Sequence, residues 1–275
     1  MIRIIEQQAI GKKSQEACED GIVATDSFVA VIDGSTSKTA ISYHPTMSNG
    51  RFAMTEVCRL IAEDLPANAS VETFCDRATQ RLHQCYTDCH ADLKRLEEHP
   101  VERTTCSAVV YNTQRRELWM VGDCQALNVT TGEHYENNKP YEEPIAEIRA
   151  AHIRLALLDG ATTEEYRVHD KGRETILPLL RYYCKYQNVA YPVIDGFPIP
   201  MHTVKVIKVP DTTKELILAS DGYPTLCPTL EASERHLADL LATDPLLTDR
   251  VKATKGWMKG NKSFDDRAYI RFSIQ

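Results

Sequence analysis

Five short apolar or strand-like runs in this chain deliver an aspartate at or beside one end. Phe28 to Ile32 leads into Asp33-Gly34, Leu118 to Gly122 into Asp123, Tyr191 to Ile194 into Asp195-Gly196, and Leu216 to Ser220 into Asp221-Gly222. The fifth is reversed, with Asp265-Asp266 entering the run Ala268 to Phe272. Runs of this kind read as buried strands, whose end residues emerge at the rim of a sheet. Carboxylates gathered at one rim repel each other unless something positive sits between them. Oxygen-only ligand sets suit hard divalent ions such as Mg²⁺ and Mn²⁺, so the set points to a metal-dependent enzyme. Asp-Gly after a strand is also a common turn signal. One such pair alone reads as a turn, and the weight lies on the set.

The chain has 275 residues, enough for one large domain with a full core. Its 43% hydrophobic and 26% charged residues are ordinary for a globular protein. A net charge of −7 argues against a general nucleic-acid binder, which shows a basic face. No apolar run is long enough to span a bilayer, and Met1 to Glu6 reads as a strand rather than an export signal. The nine cysteines are scattered without a Cys-x-x-Cys pair, which argues against zinc and for reduced thiols in the cytoplasm.

Residues 1–34 read as strands around a turn at Glu19-Asp20-Gly21, followed by a polar loop from Ser35 to Gly50. Met54, Val57, Ile61 and Leu65 recur at helical spacing, with Pro66 as the stop. A long second helix is expected from Val71 through Leu96, with Ser70 as its N-cap, Cys85 and Cys89 on its packed face, and His83, His90 and His99 on its solvated side. Residues 104–130 read as a strand meander. The polar stretch 144–187 reads as helices Ile145–Leu158 and Glu164–Tyr186, which interrupt the strand pattern as an insertion or lid. Strands at Thr203–Val209 and Leu216–Ser220, a helix at Leu230–Leu241, another at Leu246–Thr254 and a last strand at Ala268–Ile274 complete the order. That order is an α+β layered domain with helices covering antiparallel sheets.

Six segments in order, Glu19-Asp20, Val31-Ile32-Asp33-Gly34, Ser107-Ala108-Val109-Val110, Val121-Gly122-Asp123-Cys124, Leu218-Ala219-Ser220-Asp221-Gly222 and Asp265-Asp266-Arg267-Ala268, resemble the metal-dependent Ser/Thr protein phosphatases of type 2C (PPM). The resemblance runs from residue 19 to 270 and implies one domain over 1–275. Its architecture would be a four-layer α-β-β-α sandwich with two central antiparallel sheets and a helical flap at 140–200. It implies two Mg²⁺ or Mn²⁺ ions: Asp33 bridging both, the Gly34 carbonyl on one, Glu19 and Asp20 acting directly or through water, and Asp221 and Asp265 on the other. Asp123 matches a position that helps hold a third, weaker metal, and Asp266 stands behind the ligands. Asp33 and Asp221 are the residues on which catalysis would depend. The implied reaction is hydrolysis of phosphoserine or phosphothreonine in a phosphorylated protein by a water shared between the ions.

Several positions depart from the family pattern. Ser35 follows Asp33-Gly34 where some members carry a histidine, and it cannot act as a general acid near neutral pH. Gln15 stands where a phosphate-binding arginine is usual, leaving Lys12, Lys13 or Lys38 as substitutes. Cys124-Gln125 replaces the usual Ser-Arg, and Asp195 is open to two readings, a flap aspartate or a turn residue. Two readings from other classes stand beside the enzyme. One is a pseudophosphatase that binds a partner or phosphoprotein without turnover; the other is a plain interaction domain whose Asp-Gly pairs are only turns. Cys106 and Cys124 read as core thiols near the site, and Tyr182, Tyr183, Tyr186 and Tyr191 as packed aromatics. Trp119 reads as core, and Trp257 as exposed among the solvated Lys255, Lys259 and Lys262.

Overall fold

The computed structural model describes residues 2–274. Ten strands form two five-stranded antiparallel sheets. The first sheet runs β1 (Ile2–Ile10), β10 (Arg267–Ile274), β9 (Glu215–Ala219), β6 (Gln125–Asn128), β7 (Glu133–Tyr135). The second runs β2 (Asp20–Ala24), β3 (Phe28–Gly34), β4 (Cys106–Asn112), β5 (Glu117–Val121), β8 (Lys205–Lys208). Alternate side chains of the central strands serve different layers, as the pleat requires. Val29, Val31, Val109, Leu118 and Met120 pack between the sheets against Leu216, Leu218, Ile270 and Phe272. Ala30, Ile32, Val110, Trp119 and Val121 point the other way, onto helices α1 (Asn49–Arg59) and α2 (Val71–Asp88), which contribute Ala53, Val57, Phe74, Ala78 and Leu82. Burial on both faces explains why β3 and β4 read as continuous apolar runs. The outer face of the first sheet carries Leu127, Ile217, Ala219 and Tyr269, covered by Tyr223, Leu226 and the start of α7 (Leu230–Thr243). The result is the α+β four-layer arrangement read from the sequence.

Local signals set the helix ends. The Ser70 hydroxyl accepts from the Thr73 amide as the expected N-cap of α2. Leu60–Asp64 continues α1 as a π-helical turn, and Leu65 turns extended before Pro66. The long second helix breaks after Asp88, because His90 takes a left-handed φ of 54° and Asp92 caps a new short helix, α3 (Leu93–Glu98). Cys89 is therefore exposed at a helix end and not on a packed face. His90 and His99 are solvated, as expected, whereas His83 is half-buried with Nδ1 3.1 Å from the Gly196 carbonyl.

Three further expectations are corrected. Asp20 does not sit in a turn; it opens β2, and the turns fall on either side. The supposed meander leaves its sheet at Gly122 (φ +93°), so β5 and β6 belong to different sheets. Leu246–Thr254 is not helical: α7 ends at Asp244, whose carboxylate accepts three amides from Thr248, Asp249 and Arg250, and Leu247 has φ 53°.

The 140–200 stretch holds α4 (Glu142–Leu158), α5 (Thr163–Val168) and α6 (Lys171–Tyr183). Asp170 caps α6 and splits the helix expected over Glu164–Tyr186. Arg149 of α4 is fully buried. Its Nε and Nη2 donate to Asp170 Oδ2 at 3.0 and 2.7 Å, and its Nη1 donates to the Leu246 and Ala253 carbonyls, both at 2.9 Å. This side chain ties the helical insert to the 246–256 loop. Trp257 is half-buried rather than exposed: Nε1 donates to Asn261 O at 2.8 Å and Arg167 stacks on the ring at 4.2 Å.

Arg149→Leu leaves the Asp170 carboxylate buried without its cation, and should lower unfolding free energy by about 3–5 kcal/mol. The double variant Arg149→Leu/Asp170→Asn keeps a capping side chain and strands no charge, so it should recover part of that loss. Urea unfolding of the two proteins decides; equal losses would show that the ion pair is not what matters.

Candidate active site

The ends of β3, β5 and β9 and the starts of β2, β4 and β10 lie at one rim of the paired sheets. The rim therefore collects Asp20, Asp33, Asp123, Asp221, Asp265 and Asp266, as the strand-end pattern predicts. A cleft there is lined by Asp33, Asp123, Asp221 and Asp265 at its acidic side. Asp20 and Asp33 are direct cross-strand neighbours in the β2–β3 register. Like charges placed opposite each other on a ladder are destabilising, and here they are also largely removed from water.

Glycines let the backbones approach. A Cβ on Gly34 would lie 2.2 Å from the Gly50 carbonyl oxygen, one on Gly122 would lie 2.2 Å from Ser107 Oγ, and one on Gly222 would lie 2.0 Å from the Asp266 carbonyl oxygen. The Gly34 amide donates to Glu19 O at 3.0 Å, so the acidic pair and the Asp-Gly are stitched together by main chain. Ser48 caps α1 and donates its hydroxyl to Glu19 Oε1 at 2.6 Å, while Thr36 donates to Glu19 Oε2.

The carboxylates fall into two groups by their partners. Asp123 accepts from Ser107 Oγ at 2.6 Å and pairs with Lys139. Asp265 pairs with Lys12 at 3.1 Å and with Lys255, and Asp266 pairs with Lys12 at 3.1 Å. Burial works to raise the pKa of Asp123 and Asp265, and these ammonium partners overcome it, holding both below the usual carboxylate range. Among the described residues, Asp20, Asp33 and Asp221 have no ammonium partner in ion-pair contact. Desolvation first, then their neighbouring carboxylates, pushes all three up, Asp221 to about 7. Asp20 Oδ2 is a buried oxygen without any hydrogen-bond partner. Three acceptor groups short of positive charge fit a hard divalent cation. The lysine-paired carboxylates fit one only by giving up their ammonium partners. Among the described residues, no three Asp, Glu, His or Cys side chains close around a common point at metal-ligand range.

The lysines are what sequence reasoning missed. Lys255, which the sequence groups with the solvated Lys259 and Lys262, reaches the cleft. Lys12, considered for phosphate, is taken up by Glu19, Asp265 and Asp266. Lys139 carried no local signal. A count of buried acids against available cations would have demanded partners of this kind. Asp195 is not at the cleft. It is fully buried, pairs with Arg103 at 2.9 Å and accepts from Asn188 and the Phe197 amide, while Gly196 takes φ +84°; it is the turn residue of its two readings. Cys106 and Cys124 are wholly buried, which raises both thiols well above their ordinary range. All nine cysteines are unpaired.

No family model and no curated protein sequence matches the chain. Solved structures with a similar fold include the serine/threonine phosphatase PstP/Ppp of Mycobacterium tuberculosis, at 14% identity, with 100% of this chain and 99% of that one covered and a TM-score of 0.48. Another is the serine/threonine phosphatase Stp1 from Staphylococcus aureus, at 16% identity, with 99% and 96% covered and a TM-score of 0.48. A third is RsbX in complex with magnesium, at 14% identity, with 100% of both chains covered and a TM-score of 0.45. At these identities the chemistry has to be argued from the chain's own residues.

The raised carboxylates set a pH dependence. Near pH 5–7 the unfolded chain has Asp20, Asp33 and Asp221 ionised, whereas the fold disfavours ionisation of all three. Metal-free protein should therefore lose stability as pH rises from about 4 toward 7, where Asp221 titrates. Asp123 and Asp265, held low, act below that window. Thermal melts at pH 5, 6 and 7 should show a falling midpoint, and the fall should shrink in Asp221→Asn. A midpoint that rises over this range would contradict the charge assignment.

Proposed function

We propose that this chain is a metal-dependent phosphoprotein phosphatase of the PPM type, one domain over 1–275, acting in the cytoplasm on phosphoserine or phosphothreonine. The observation that carries the reading is the partnerless trio Asp20, Asp33 and Asp221 at one sheet rim, beside cations that line the same cleft. Phosphate monoesters are dianions, and a site for them needs positive charge brought to an acidic floor. Asp33, Asp20, Asp221 and the Gly34 carbonyl would hold divalent cations. Glu19, locked by Ser48 and Thr36, would steady a water from behind. Asp265 would join once Lys255 and Lys12 release it, and Asp123, at a weaker position, once Lys139 does. When bound, Mg²⁺ or Mn²⁺ supplies charge neutralisation at phosphorus and a water of lowered pKa. No thiol serves as the nucleophile, since burial keeps Cys106 and Cys124 protonated. Ser35 offers no acid for the leaving oxygen, so protonation there falls to water.

One observation favours a second reading, a phosphoprotein-binding pseudophosphatase. Lys12, Lys139 and Lys255 already neutralise carboxylates that the family pattern assigns to metals. A rim balanced by its own ammonium groups needs fewer ions to stay folded.

Hydrolysis of p-nitrophenyl phosphate and a phosphothreonine peptide separates the two. Metal-stripped protein should release phosphate with Mn²⁺ or Mg²⁺ and not without, and Asp33→Asn or Asp221→Asn should lose at least about a hundredfold in rate while staying folded. No release, with Mn²⁺ still raising the melting midpoint, would select the binding reading. Neither release nor a metal effect would remove the metal centre from consideration.

A further inference from the structure

Four cationic side chains line the cleft: Lys38, Lys139, Arg173 and Lys255. Two are committed, Lys139 to Asp123 and Lys255 to Asp265. The other two have no carboxylate in ion-pair contact among the described residues. The Lys38 ammonium reaches only Ser35 Oγ, at a long 3.5 Å. Arg173 lines the cleft and gives one N–H to the Thr254 carbonyl at 2.8 Å. Both are half-buried. Burial pulls both below their ordinary range, and Lys38 feels Arg173 and Lys139 as like charges. Two neighbouring cations drawn partly out of water with no carboxylate in contact are costly, and the more distant Asp265, Asp170 and Glu142 offset burial only in part.

Their placement is built. Asp170 caps α6 by accepting the Arg173 amide at 2.8 Å, and Arg149 fixes Asp170 from the other side. Arg181, two turns along the same helix, donates Nε to the Lys38 carbonyl at 3.0 Å, which ties the loop after β3 to α6. The lysine and the arginine thus belong to one braced unit facing the acidic rim. The guanidinium presents a planar fork suited to two oxygens of one anion, and the ammonium adds a point charge. Ser35 Oγ accepts from Lys38 and keeps its own O–H to donate.

We propose that Lys38 and Arg173 form the anion subsite of this cleft and take the phosphoryl group of a phosphomonoester. The arginine at Gln15's position is absent, and Lys12 is spent on carboxylates, so recognition of phosphate has moved to the far wall and to the helical insert. The subsite rests on the phosphatase reading for its natural ligand, and its chemistry can be tested apart from turnover.

The experiment is calorimetric titration of inorganic phosphate into wild type, Lys38→Met, Arg173→Met, Arg173→Lys and the surface control Lys185→Met, with and without Mn²⁺, alongside thermal melts. Phosphate affinity should fall at least tenfold in the two methionine variants, stay unchanged in the control and be partly restored in Arg173→Lys. The melting midpoint without phosphate should hold or rise in Lys38→Met and Arg173→Met, since each removes a part-buried cation that no carboxylate contacts among the described residues. Affinity within twofold of wild type in both variants would overturn the subsite, as would wild type that binds no phosphate at millimolar concentration. Mn²⁺ acts as the separate control. A metal-induced rise in midpoint with unaltered phosphate binding would sink the subsite and leave the phosphatase reading standing. Lost phosphate binding without any metal effect would keep the subsite and remove the phosphatase.

Discussion

The structure turns on the register between β2 and β3, which sets Asp20 directly across from Asp33. A shift of one residue would carry Val29 and Val31 out of the core between the sheets and bring Ala30 and Ile32 into it, so the register is held by apolar packing on both faces of β3. The acids have no say in it. The interior forces two carboxylates together, the β9 end adds Asp221 nearby, and the rim is left with an excess of negative charge that protons or cations must relieve. That is how a functional site can be carried by a stable fold: the hydrophobic layers, which bury Trp119, Phe28, Phe74 and Phe272 completely, outweigh a local electrostatic cost.

The chain relieves part of this cost with its own side chains. Lys12, Lys139 and Lys255 come from three separate loops and neutralise Asp265, Asp266 and Asp123. What they leave unpaired is the Asp20–Asp33 pair of β2 and β3 together with Asp221 at the end of β9. The division has a functional consequence under either reading. Internal ammonium groups lower the demand for metal at the periphery of the site, while the partnerless trio keeps its demand at the centre. Lys38 and Arg173 complete the pattern with the opposite imbalance, positive charge without an anion. Under the proposed function, unpaired carboxylates and unpaired cations in one cleft would suit a ligand pair, divalent cation plus phosphate, better than either alone.

Much of this was legible in the sequence because strand ends are. An apolar run followed by Asp names both the strand and the place where its carboxylate emerges, and Asp33, Asp123, Asp221 and Asp265 all stand at the rim so predicted. The helix pair and the N-cap at Ser70 were legible for the same local reason. What escaped depended on distant packing. The break at His90 needs a left-handed residue that no Gly or Pro announces, and the refusal of Leu246–Thr254 to form a helix depends on Asp244 collecting the amides of the following loop. Long, flexible lysines gave no hint of their partners, because an ammonium on a four-carbon stem can reach either solvent or a buried acid from the same backbone position. Arg149 and Arg173 lay in a stretch that looked merely polar; their burial follows from how α4 and α6 pack, which composition does not encode.

The Asp-Gly pairs show how a common motif can be sorted by physics. At Asp195-Gly196 the glycine adopts φ +84° and the aspartate caps its own turn, which is ordinary turn chemistry. At Asp33-Gly34 and Asp221-Gly222 the glycines do not use the left-handed region. They are needed because a methyl group would collide with a neighbouring carbonyl, at 2.2 and 2.0 Å. Glycine for conformation marks a turn, whereas glycine for clearance marks two backbones pressed together. Pressing backbones together at a sheet rim brings their preceding aspartates together as well. The second kind of glycine is therefore evidence for a convergent acidic site that the dipeptide alone cannot supply, and in this chain it picks out the two aspartates on which the proposed chemistry depends and passes over the one that is structural.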